Sequence, residues 1–310
     1  RHQGARRRKS PPGRPWLSNF GAGAQAGDQS ERAQARHRGQ ERRRYVVRDL
    51  VAAGHDVVGA DVRPGVESGA RHLQIDLTDA GQVYASLAGI DAVAHLGAWA
   101  NAGVVPDPGT YGDNVRGTFH VLQAAAELGI QRAVSASSAQ VYGLFSHPPQ
   151  YLPVDEDHPL RPVNSYALSK TAGESAAAYI TDRYGLPILS FRIMGVRTPD
   201  EMPAQIEQLQ ANPARDTGLL WTRTDARDAA TAVRLALESD AEAGIYNITA
   251  TDAVVDIPTQ DLISRYFPGV AVRCGLAGQT SPMTCARARS AFGFEPIYLW
   301  SPRRLHLEGD

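Results

Sequence analysis

The sequence lacks the features that mark membrane-spanning and secreted chains. No apolar run approaches the ~18 residues that a membrane-spanning helix needs, and no segment has the apolar centre of a signal peptide. With 43% hydrophobic and 21% charged residues, the composition is ordinary for a globular enzyme. The 310 residues are enough for one large core or two modest ones.

Cysteine is also scarce, with only Cys274 and Cys285 present. Neither lies in a Cys/His cluster with the spacing of metal ligands, so no metal site is predicted. A disulfide between the two is compatible with the sequence but has no support from it. We therefore expect a reducing, cytoplasmic location.

Lysine is almost absent: residues 45–310 contain nineteen arginines and a single lysine, Lys170. This lysine follows Tyr166 by four residues, and positions i and i+4 lie on one face of a helix. An ammonium beside a phenol favours the phenolate and lowers a tyrosine pKa that starts near ~10. Such a tyrosine suits general acid/base catalysis. Ser138, at the end of an apolar run, is placed to hold a substrate oxygen against the phenol.

A tyrosine four residues before a lysine also occurs by chance on helix surfaces. Here, however, a chain that otherwise uses arginine for its cations has an amine at this position. Arginine is a poor substitute where a compact charge must reach a phenol. We therefore interpret Ser138, Tyr166 and Lys170 as catalytic.

The net charge of −1 hides an uneven distribution. Residues 1–44 carry twelve Lys/Arg against three Asp/Glu, whereas residues 45–310 carry twenty against thirty. The first segment is low in complexity and has no apolar periodicity, so we expect it to be disordered or aberrant. A basic arm can bind nucleic acid or an anionic surface. It lacks the interleaved aromatic residues of a single-strand binder, so nucleic acid is not the expected partner.

From residue 45 onward, strand patterns alternate with helix patterns. Strands are predicted at residues 55–61, 73–77, 91–98, 131–137 and 186–193, and helices at 45–53, 111–128 and 166–184. This rhythm predicts an α/β fold with a doubly wound parallel sheet. After Met194 the pattern loosens into Pro-rich loops, helices at 225–238 and 259–266, and a short strand at 244–249. We interpret residues 194–310 as mainly a small C-terminal substrate lobe with returning sheet elements.

Short motifs follow one another along residues 45–300: Gly54-His55-Asp56-Val57 with Asp61, Ile75-Asp76-Leu77, His95-Leu96-Gly97-Ala98, Asn114-Val115-Arg116-Gly117-Thr118, Ser137-Ser138-Ala139-Gln140-Val141-Tyr142-Gly143, Tyr166 with Lys170, and Arg227-Asp228. In this order they resemble the extended short-chain dehydrogenase/reductase superfamily, specifically the NAD-dependent epimerase/dehydratase family. The resemblance covers over four fifths of the chain. It implies a Rossmann-type sheet that binds NAD.

The resemblance also implies a role for each matched residue. Tyr166 would be the acid/base, Lys170 would hold the nicotinamide ribose, and Ser138 would orient the substrate hydroxyl or carbonyl. Asp61 would bond the adenosine ribose and favour NAD over NADP. Two alternatives stay open here: Asp61 as a turn-forming residue, and a neighbouring Arg63 that accepts a 2′-phosphate.

Further contacts follow from the same resemblance. Asp76, Leu77, Gly97 and Ala98 would line the cofactor. Asn114 would contact the cofactor region or only cap its helix. On the substrate side, we expect contacts from Gln140 and Arg223.

One part of the family pattern is missing. The family begins with an apolar strand that runs into Gly-x-x-Gly-x-x-Gly, yet the corresponding positions hold His37, Gln40 and Arg43. Residues 21–27 are rich in glycine, but no strand pattern precedes them and no helix pattern follows, so we interpret them as a loop. The NAD-binding domain, residues 45–193, is therefore expected to lack its normal first strand.

We hypothesise that residues 1 to about 43 are read in a wrong frame or are foreign to the domain, because the composition changes sharply at residue 44. Resequencing of the encoding DNA tests this. One uninterrupted frame across that codon would refute it.

The expected activity is that of an NAD-dependent oxidoreductase or epimerase acting on a hydroxyl of a sugar or sugar acid, with Tyr166 moving the proton. Oxidation and epimerisation share the hydride step, so the motif does not distinguish them, whereas Ala139 and Gln140 after the serine argue against a dehydratase. The alternative is a catalytically impaired relative that acts as a binding or regulatory protein. The resemblance further implies a homodimer formed through the helices at 111–128 and 166–184.

Overall fold

The computed structural model describes residues 16–20, 43–64 and 69–300, with only the backbone of residues 17–20. Its strands are β1 (Trp16–Phe20), β2 (Val57–Asp61), β3 (Arg71–Gln74), β4 (Ala92–His95), β5 (Arg132–Ser138), β6 (Tyr151–Leu152), β7 (Ile188–Ile193), β8 (Val196–Arg197), β9 (Thr224–Asp225), β10 (Gly244–Ile248) and β11 (Ala271–Val272). Seven of them form one sheet in the order β3-β2-β1-β4-β5-β7-β10. Every neighbouring pair in it is parallel.

Helices cover both faces of this sheet. The helices of the described residues are α1 (residues 43–52), α2 (Ala80–Leu87), α3 (Asp107–Glu127), α4 (Ser165–Tyr184), α5 (Met202–Ala211), α6 (Ala226–Glu238), α7 (Thr259–Tyr266) and α8 (Ala286–Phe292). Helices α1, α6 and α8 pack on one face, and α2, α3 and α4 on the other. Adjacent residues of β2 show the two layers, because Val57 belongs to the first core and Val58 to the second. Burial on both faces explains the nearly continuous apolar strands. The predicted doubly wound α/β fold is confirmed.

The sequence led us to expect that the first strand is missing, but the structure has a strand at the centre of the sheet. Strand β1 lies between β2 and β4, with Trp16 opposite Val57 on one side and Ala92 on the other. The Trp16 ring stacks on His55 with 3.6 Å between ring centroids. A five-residue strand among Arg, Pro and Gly residues carries too weak a pattern to be recognised alone, whereas two neighbouring strands supply its pairing. The glycine-rich residues 21–27, together with His37 and Gln40, lie outside the described residues.

A second core lies beyond the carboxyl ends of the strands. It combines α5 and α7 with segments of the loops, and its largest fully buried side chain is Trp221. Leu152 and Val154 also belong to it, so residues before 194 contribute to this lobe. Strand β10 returns to the sheet beside β7. The division of the chain at residues 44 and 193 stays a prediction.

Some boundaries differ from the sequence patterns. Helix α3 begins at Asp107 rather than at residue 111, and β3 ends at Gln74 rather than at residue 77. Both cysteines are free, Cys274 being exposed and Cys285 buried. In the described part of the chain, no helix combines the length and the apolar character needed to cross a membrane. A cytoplasmic location stays a prediction.

Candidate active site

A cavity of about 470 Å³ opens at the carboxyl ends of β4, β5 and β7. Sheets of this type bind their ligands at that edge. Its polar and charged lining comprises the side chains of Arg43, Asn101, Ser137, Ser138, Gln140, Tyr166, Lys170 and Arg197. The three residues that the sequence marked as catalytic therefore share one cavity.

Ser138 is the last residue of β5, where it pairs with Ile193 at the end of β7. Its hydroxyl accepts a hydrogen bond from the backbone N–H of Gln140 at 3.2 Å and so caps the short 3₁₀ helix Ala139–Tyr142. Capping of this kind holds a serine at a helix start. The strand and the cap together fix the hydroxyl at the cavity wall.

Tyr166 lies in the first turn of α4, and its side chain is buried. The helix begins where it does because the side chain of Asn164 accepts a hydrogen bond from the N–H of Ala167 at 2.8 Å. The neighbouring Ser138 hydroxyl acts on the phenol and favours its ionised form. The structure therefore places Ser138 beside Tyr166.

Lys170 lies one turn further along α4, with its Nζ atom 5.7 Å from the centre of the Tyr166 ring. The ammonium donates a hydrogen bond to the backbone carbonyl of Ala136 at 2.6 Å. Burial, together with the positive charge of Arg43, lowers the pKa of Lys170 to about 8, while the charge of Glu174 acts in the opposite direction. Lys170 is therefore a cation that can lose its proton close to neutral pH.

The pKa of Tyr166 differs from the sequence-based expectation. Burial raises this pKa above the ordinary value, and only the hydrogen bond with Ser138 acts to lower it. Desolvation favours the neutral phenol. The Lys170 ammonium bonds to the carbonyl of Ala136 instead of the phenol oxygen. For this reason it does not bring the pKa of Tyr166 below its ordinary value.

A buried ion pair lies beside the elements that carry Ser138, Tyr166 and Lys170. Arg192 on β7 forms two hydrogen bonds with the carboxylate of Glu174 on α4, at 2.9 and 2.8 Å. Glu174 also accepts a hydrogen bond from the Ser137 hydroxyl at 2.5 Å. A further donor group of Arg192 contacts the hydroxyl of Tyr142 at 3.1 Å. These bonds tie α4, which carries Tyr166 and Lys170, to β7 and to β5, which carries Ser138.

Asp61 ends β2 and is 5% exposed. One carboxylate oxygen accepts the backbone N–H of Arg63 at 3.0 Å, and the other accepts the guanidinium of Arg43 at 3.1 Å. The first bond is the turn-forming contact that the sequence left open. The position at the end of a strand also agrees with the ribose contact, so both roles remain compatible.

The other residues expected to contact the cofactor differ in whether they line the cavity. Ala98 lines the cavity, whereas Gly97 is buried beside it. The carboxylate of Asp76 accepts hydrogen bonds from the N–H and the hydroxyl of Thr78 at 2.8 and 2.9 Å, as in a local turn. Leu77 is fully buried in the sheet core. Neither Asp76 nor Leu77 lines the cavity as the described residues form it.

Asn114 does not cap a helix, because α3 begins at Asp107. Its side chain bonds the backbone N–H of Trp99 at 2.7 Å and the Ser169 hydroxyl at 3.0 Å. It thereby connects the loop after β4 to the residue beside Lys170. The structure places Asn114 behind the cavity as a link between two of its walls.

On the substrate side, Gln140 lines the cavity, and its amide contacts Asn101 at 3.3 Å. Arg223 does not line it. The Arg223 guanidinium is 2% exposed and forms a two-pronged ion pair with Asp216 at 2.7 and 3.0 Å. The expected substrate contact of Arg223 is therefore not present in this structure, because a buried carboxylate holds the charge. Arg197 is the arginine of the lobe that reaches the cavity.

The sequence model of the "NAD dependent epimerase/dehydratase family" matches residues 44–249. The chain belongs to this family. The predicted resemblance is thus confirmed, and the family is one of NAD-dependent enzymes by its own description. The match begins at residue 44, so residues 1–43 lie outside the matched region.

Relatives within the epimerase/dehydratase family include sugar dehydrogenases. The chain is 32% identical over 137 residues to a uronate dehydrogenase of Pseudomonas putida, covering 43% of this chain and 49% of the relative. It is 30% identical over 184 residues to an L-arabinose 1-dehydrogenase (NAD(P)(+)) of Haloferax volcanii, and this match covers 56% of this chain and 70% of the relative. The match spans about half the length of the first of these relatives.

Solved structures of the same superfamily share the fold. A short-chain dehydrogenase/reductase superfamily protein from Agrobacterium tumefaciens, solved with bound NAD, superposes with a TM-score of 0.66. The two are 23% identical, and the match covers 94% of this chain and 98% of the other. At this level of identity the likeness establishes the architecture alone.

Three residues near the site were missed by the sequence analysis. Arg43 and Arg197 line the cavity, and Arg192 holds Glu174 behind it. Arg192 carried a recognisable signal, because an arginine within the apolar strand β7 must find a buried partner. Arg43 and Arg197 carried none, since each stands among other arginines or in an irregular segment.

Proposed function

We propose that this chain is an NAD-dependent oxidoreductase that acts on a hydroxyl of a sugar acid, with Tyr166 as the acid/base. The observation that carries the proposal is the grouping of Ser138, Tyr166 and Lys170 on one wall of a cavity at the carboxyl ends of parallel strands. The family membership and the sugar-acting relatives support the same reaction class. An amine, a phenol and a hydroxyl together suit proton and hydride transfer.

The residues present fit the nicotinamide dinucleotide that the family description names. A buried carboxylate, Asp61, ends β2, which is where such sheets hold an adenosine ribose. Lys170 lines the cavity and would hold the nicotinamide ribose. When bound, the nicotinamide would accept a hydride from the substrate carbon or return it.

The chain's own residues would handle the proton. Tyr166 would take the proton of the substrate hydroxyl as that carbon is oxidised, and would give it back in the reverse direction. Ser138 would hold the substrate oxygen beside the phenol, since its hydroxyl lies next to Tyr166. Lys170, when protonated, would favour the phenolate through its charge.

The charge of the cavity favours a sugar that bears a carboxylate. Its volume of about 470 Å³ lies within the ~300–1,000 Å³ range of small-molecule sites. Arg197 supplies a positive charge on the lobe side of the cavity. Arg223, the other cation expected there, is held by Asp216. A guanidinium suits a planar carboxylate through paired hydrogen bonds.

The test is turnover of NAD+ with free uronic acids, a neutral aldose and a UDP-sugar as substrates. We expect NADH formation with a uronic acid and less with the aldose, and a lower rate with NADP+ because Asp61 repels a 2′-phosphate. Interconversion of a UDP-sugar without net NADH would make the chain an epimerase instead. NAD+ binding without any turnover would favour the impaired, ligand-binding alternative.

Replacement of Arg197 by glutamine tests the carboxylate assignment. The variant is expected to raise the KM for the uronic acid by about 10- to 100-fold with little change in kcat, because a charge-assisted hydrogen bond is lost. The KM for a neutral aldose should not change. Arg215→Gln is the matched control, since Arg215 is an exposed arginine of the same lobe. Equal KM changes for acid and aldose would refute the assignment.

We further propose a homodimer formed through α3 and α4. These helices pack against each other and leave several large apolar side chains exposed, among them Tyr111, Phe119 and Leu168. Clustered exposed apolar residues are typical of interaction surfaces. Sedimentation equilibrium is expected to give twice the mass of the chain. A mass of 33.4 kDa at micromolar concentration would contradict the proposal.

A further inference from the structure

Phe145 is a large apolar side chain at the cavity that the proposed reaction does not use. In the part of the chain that the structure describes, two aromatic residues line the cavity, Tyr166 and Phe145. Tyr166 is buried, whereas Phe145 is 55% exposed. The preceding residue, Leu144, is buried in the core of the lobe. The chain thus buries Leu144 and leaves the larger ring of Phe145 open to a ligand, although burial of an aromatic ring is favourable.

The backbone holds Phe145 in a tight turn. Gly143 has a φ of 73°, and its carbonyl accepts hydrogen bonds from the N–H groups of Ser146 and His147, both at 3.1 Å. A Cβ atom at position 143 would collide with the carbonyl oxygen of Arg161, so this turn requires glycine. The position of Phe145 at the cavity is therefore set by its local backbone.

Part of the Phe145 ring rests on the backbone of Gly218. A Cβ atom at position 218 would lie only 2.5 Å from Cδ1 of the ring. Gly218 is buried in the 3₁₀ helix Pro213–Leu219. The same helix carries Asp216, whose carboxylate is held by the buried guanidinium of Arg223. The ring is therefore backed by a segment of the lobe that an internal ion pair fixes in place.

The lobe lines the cavity with apolar and charged groups. Leu219, which follows Gly218, lines it together with Phe145, and Arg197 supplies a positive charge. A sugar ring has C–H groups on its faces and polar groups around its rim. The face of an aromatic ring is negative and attracts such C–H groups. Small-molecule sites commonly combine an aromatic lining with a few placed polar groups in this way.

We propose that Phe145 contacts the C–H groups of the substrate's sugar ring. This assignment rests on the proposed function, in which Arg197 binds the carboxylate of the substrate. Phe145 binds the ring itself, through dispersion and through the attraction of C–H groups to the aromatic face. The contact selects substrates in which a closed ring presents several C–H groups on one face.

The test is steady-state kinetics of Phe145→Ala with a uronic acid and with a neutral aldose, both at saturating NAD+. The KM for each sugar is expected to rise about 5- to 50-fold with little change in kcat, because an aromatic contact is lost away from the reacting atoms. Both sugars should be affected equally, whereas Arg197→Gln is expected to affect the acid alone. Phe145→Tyr keeps the ring and should stay within about twofold of the unchanged chain.

Ile297→Ala is the matched control for the loss of an exposed apolar side chain. Ile297 is exposed and is not among the described residues that line the cavity, so its replacement should leave the KM unchanged. Circular dichroism and a melting curve confirm that each variant is folded. Phe145→Leu, which keeps an apolar side chain and removes the aromatic face, gives the same comparison if Phe145→Ala does not fold.

Gly218→Ala tests the contact from the other side of the ring. The added methyl group would lie 2.5 Å from the ring, so the ring must move. We expect a higher KM for both sugars in this variant. In the Phe145→Ala background the same change should have little further effect, because no ring remains to be displaced. Equal effects of Gly218→Ala in both backgrounds would overturn the assignment.

The remaining outcomes separate this assignment from the proposed function. An unchanged KM in Phe145→Ala overturns the ring contact and leaves the proposed function intact. Weaker binding of NAD+ by this variant in isothermal titration also overturns it, because the ring would then contact the cofactor. A lower kcat at unchanged KM overturns it as well. Absence of turnover by the unchanged chain with every sugar would overturn the proposed function and this assignment together.

Discussion

Replacement of Tyr166 by phenylalanine is expected to lower kcat by about 10²–10⁴-fold, the range that a general acid/base contributes. Phenylalanine keeps the buried ring and removes only the hydroxyl, which lies next to Ser138. NAD+ affinity should therefore stay near that of the unchanged chain. Initial rates of NADH formation measure the first quantity, and isothermal titration measures the second.

The pH profile separates a chemical role of Tyr166 from a structural one. For oxidation the active form is the phenolate, so the rate should rise with pH as the phenol loses its proton. Burial raises this pKa, so the rise should extend towards the alkaline side. Tyr166→Phe should lose this pH-dependent rise. Tyr179→Phe is the control, since Tyr179 is an exposed tyrosine of the same helix. A Tyr166→Phe variant with more than about a tenth of the activity would contradict the acid/base assignment.

Replacement of Glu174 by alanine is expected to lower the free energy of unfolding by about 3–5 kcal/mol. The change leaves the Arg192 guanidinium, with a side chain 5% exposed, without its carboxylate partner. It also removes the acceptor of the Ser137 hydroxyl. Denaturant unfolding followed by circular dichroism measures the loss.

Two further variants test whether the loss comes from an uncompensated buried charge. The double variant Glu174→Leu with Arg192→Met should be closer in stability to the unchanged chain than Glu174→Ala, because both charges are gone. Glu295→Ala, which removes an ion pair with Arg289 at the surface, should cost less than about 1 kcal/mol. A double variant less stable than Glu174→Ala would refute the explanation.

Glu174→Gln gives a functional readout of the same contact. Burial lowers the pKa of Lys170 to about 8, and the charge of Glu174 opposes that change. Removal of this charge should lower the pKa of Lys170 further. Any part of the activity that requires the ammonium should then be lost at a lower pH.

Much of the fold could be predicted because the patterns are local. The strands β2, β4, β5 and β7 read as apolar runs since helices bury both of their faces. The glycine at position 54, with φ of 90°, marks the end of the first helical segment in the sequence and in the structure. Strand β1 could not be predicted, because its place in the sheet depends on β2 and β4, which follow much later in the chain.

The residues of the site also fall into two groups: those whose proximity follows from local spacing, and those that only the fold brings together. Tyr166 and Lys170 are four residues apart on one helix, so their proximity follows from helix geometry. Arg43 and Asp61 meet only because α1 and β2 pack together. Arg223 stands beside a substrate-lobe segment in sequence, yet Asp216 draws its charge away from the cavity. Arg197 reaches the cavity instead.

The sequence by itself determined the α/β class through its periodicity, the family through the order of its motifs, and the proximity of Tyr166 and Lys170 through their spacing on one helix. Only the tertiary structure decided which arginines face the cavity, that burial raises the pKa of Tyr166, and that Arg192 is neutralised by Glu174. The physical reason is that burial and charge pairing depend on residues distant in the chain. Spacing along the chain does not encode those distances.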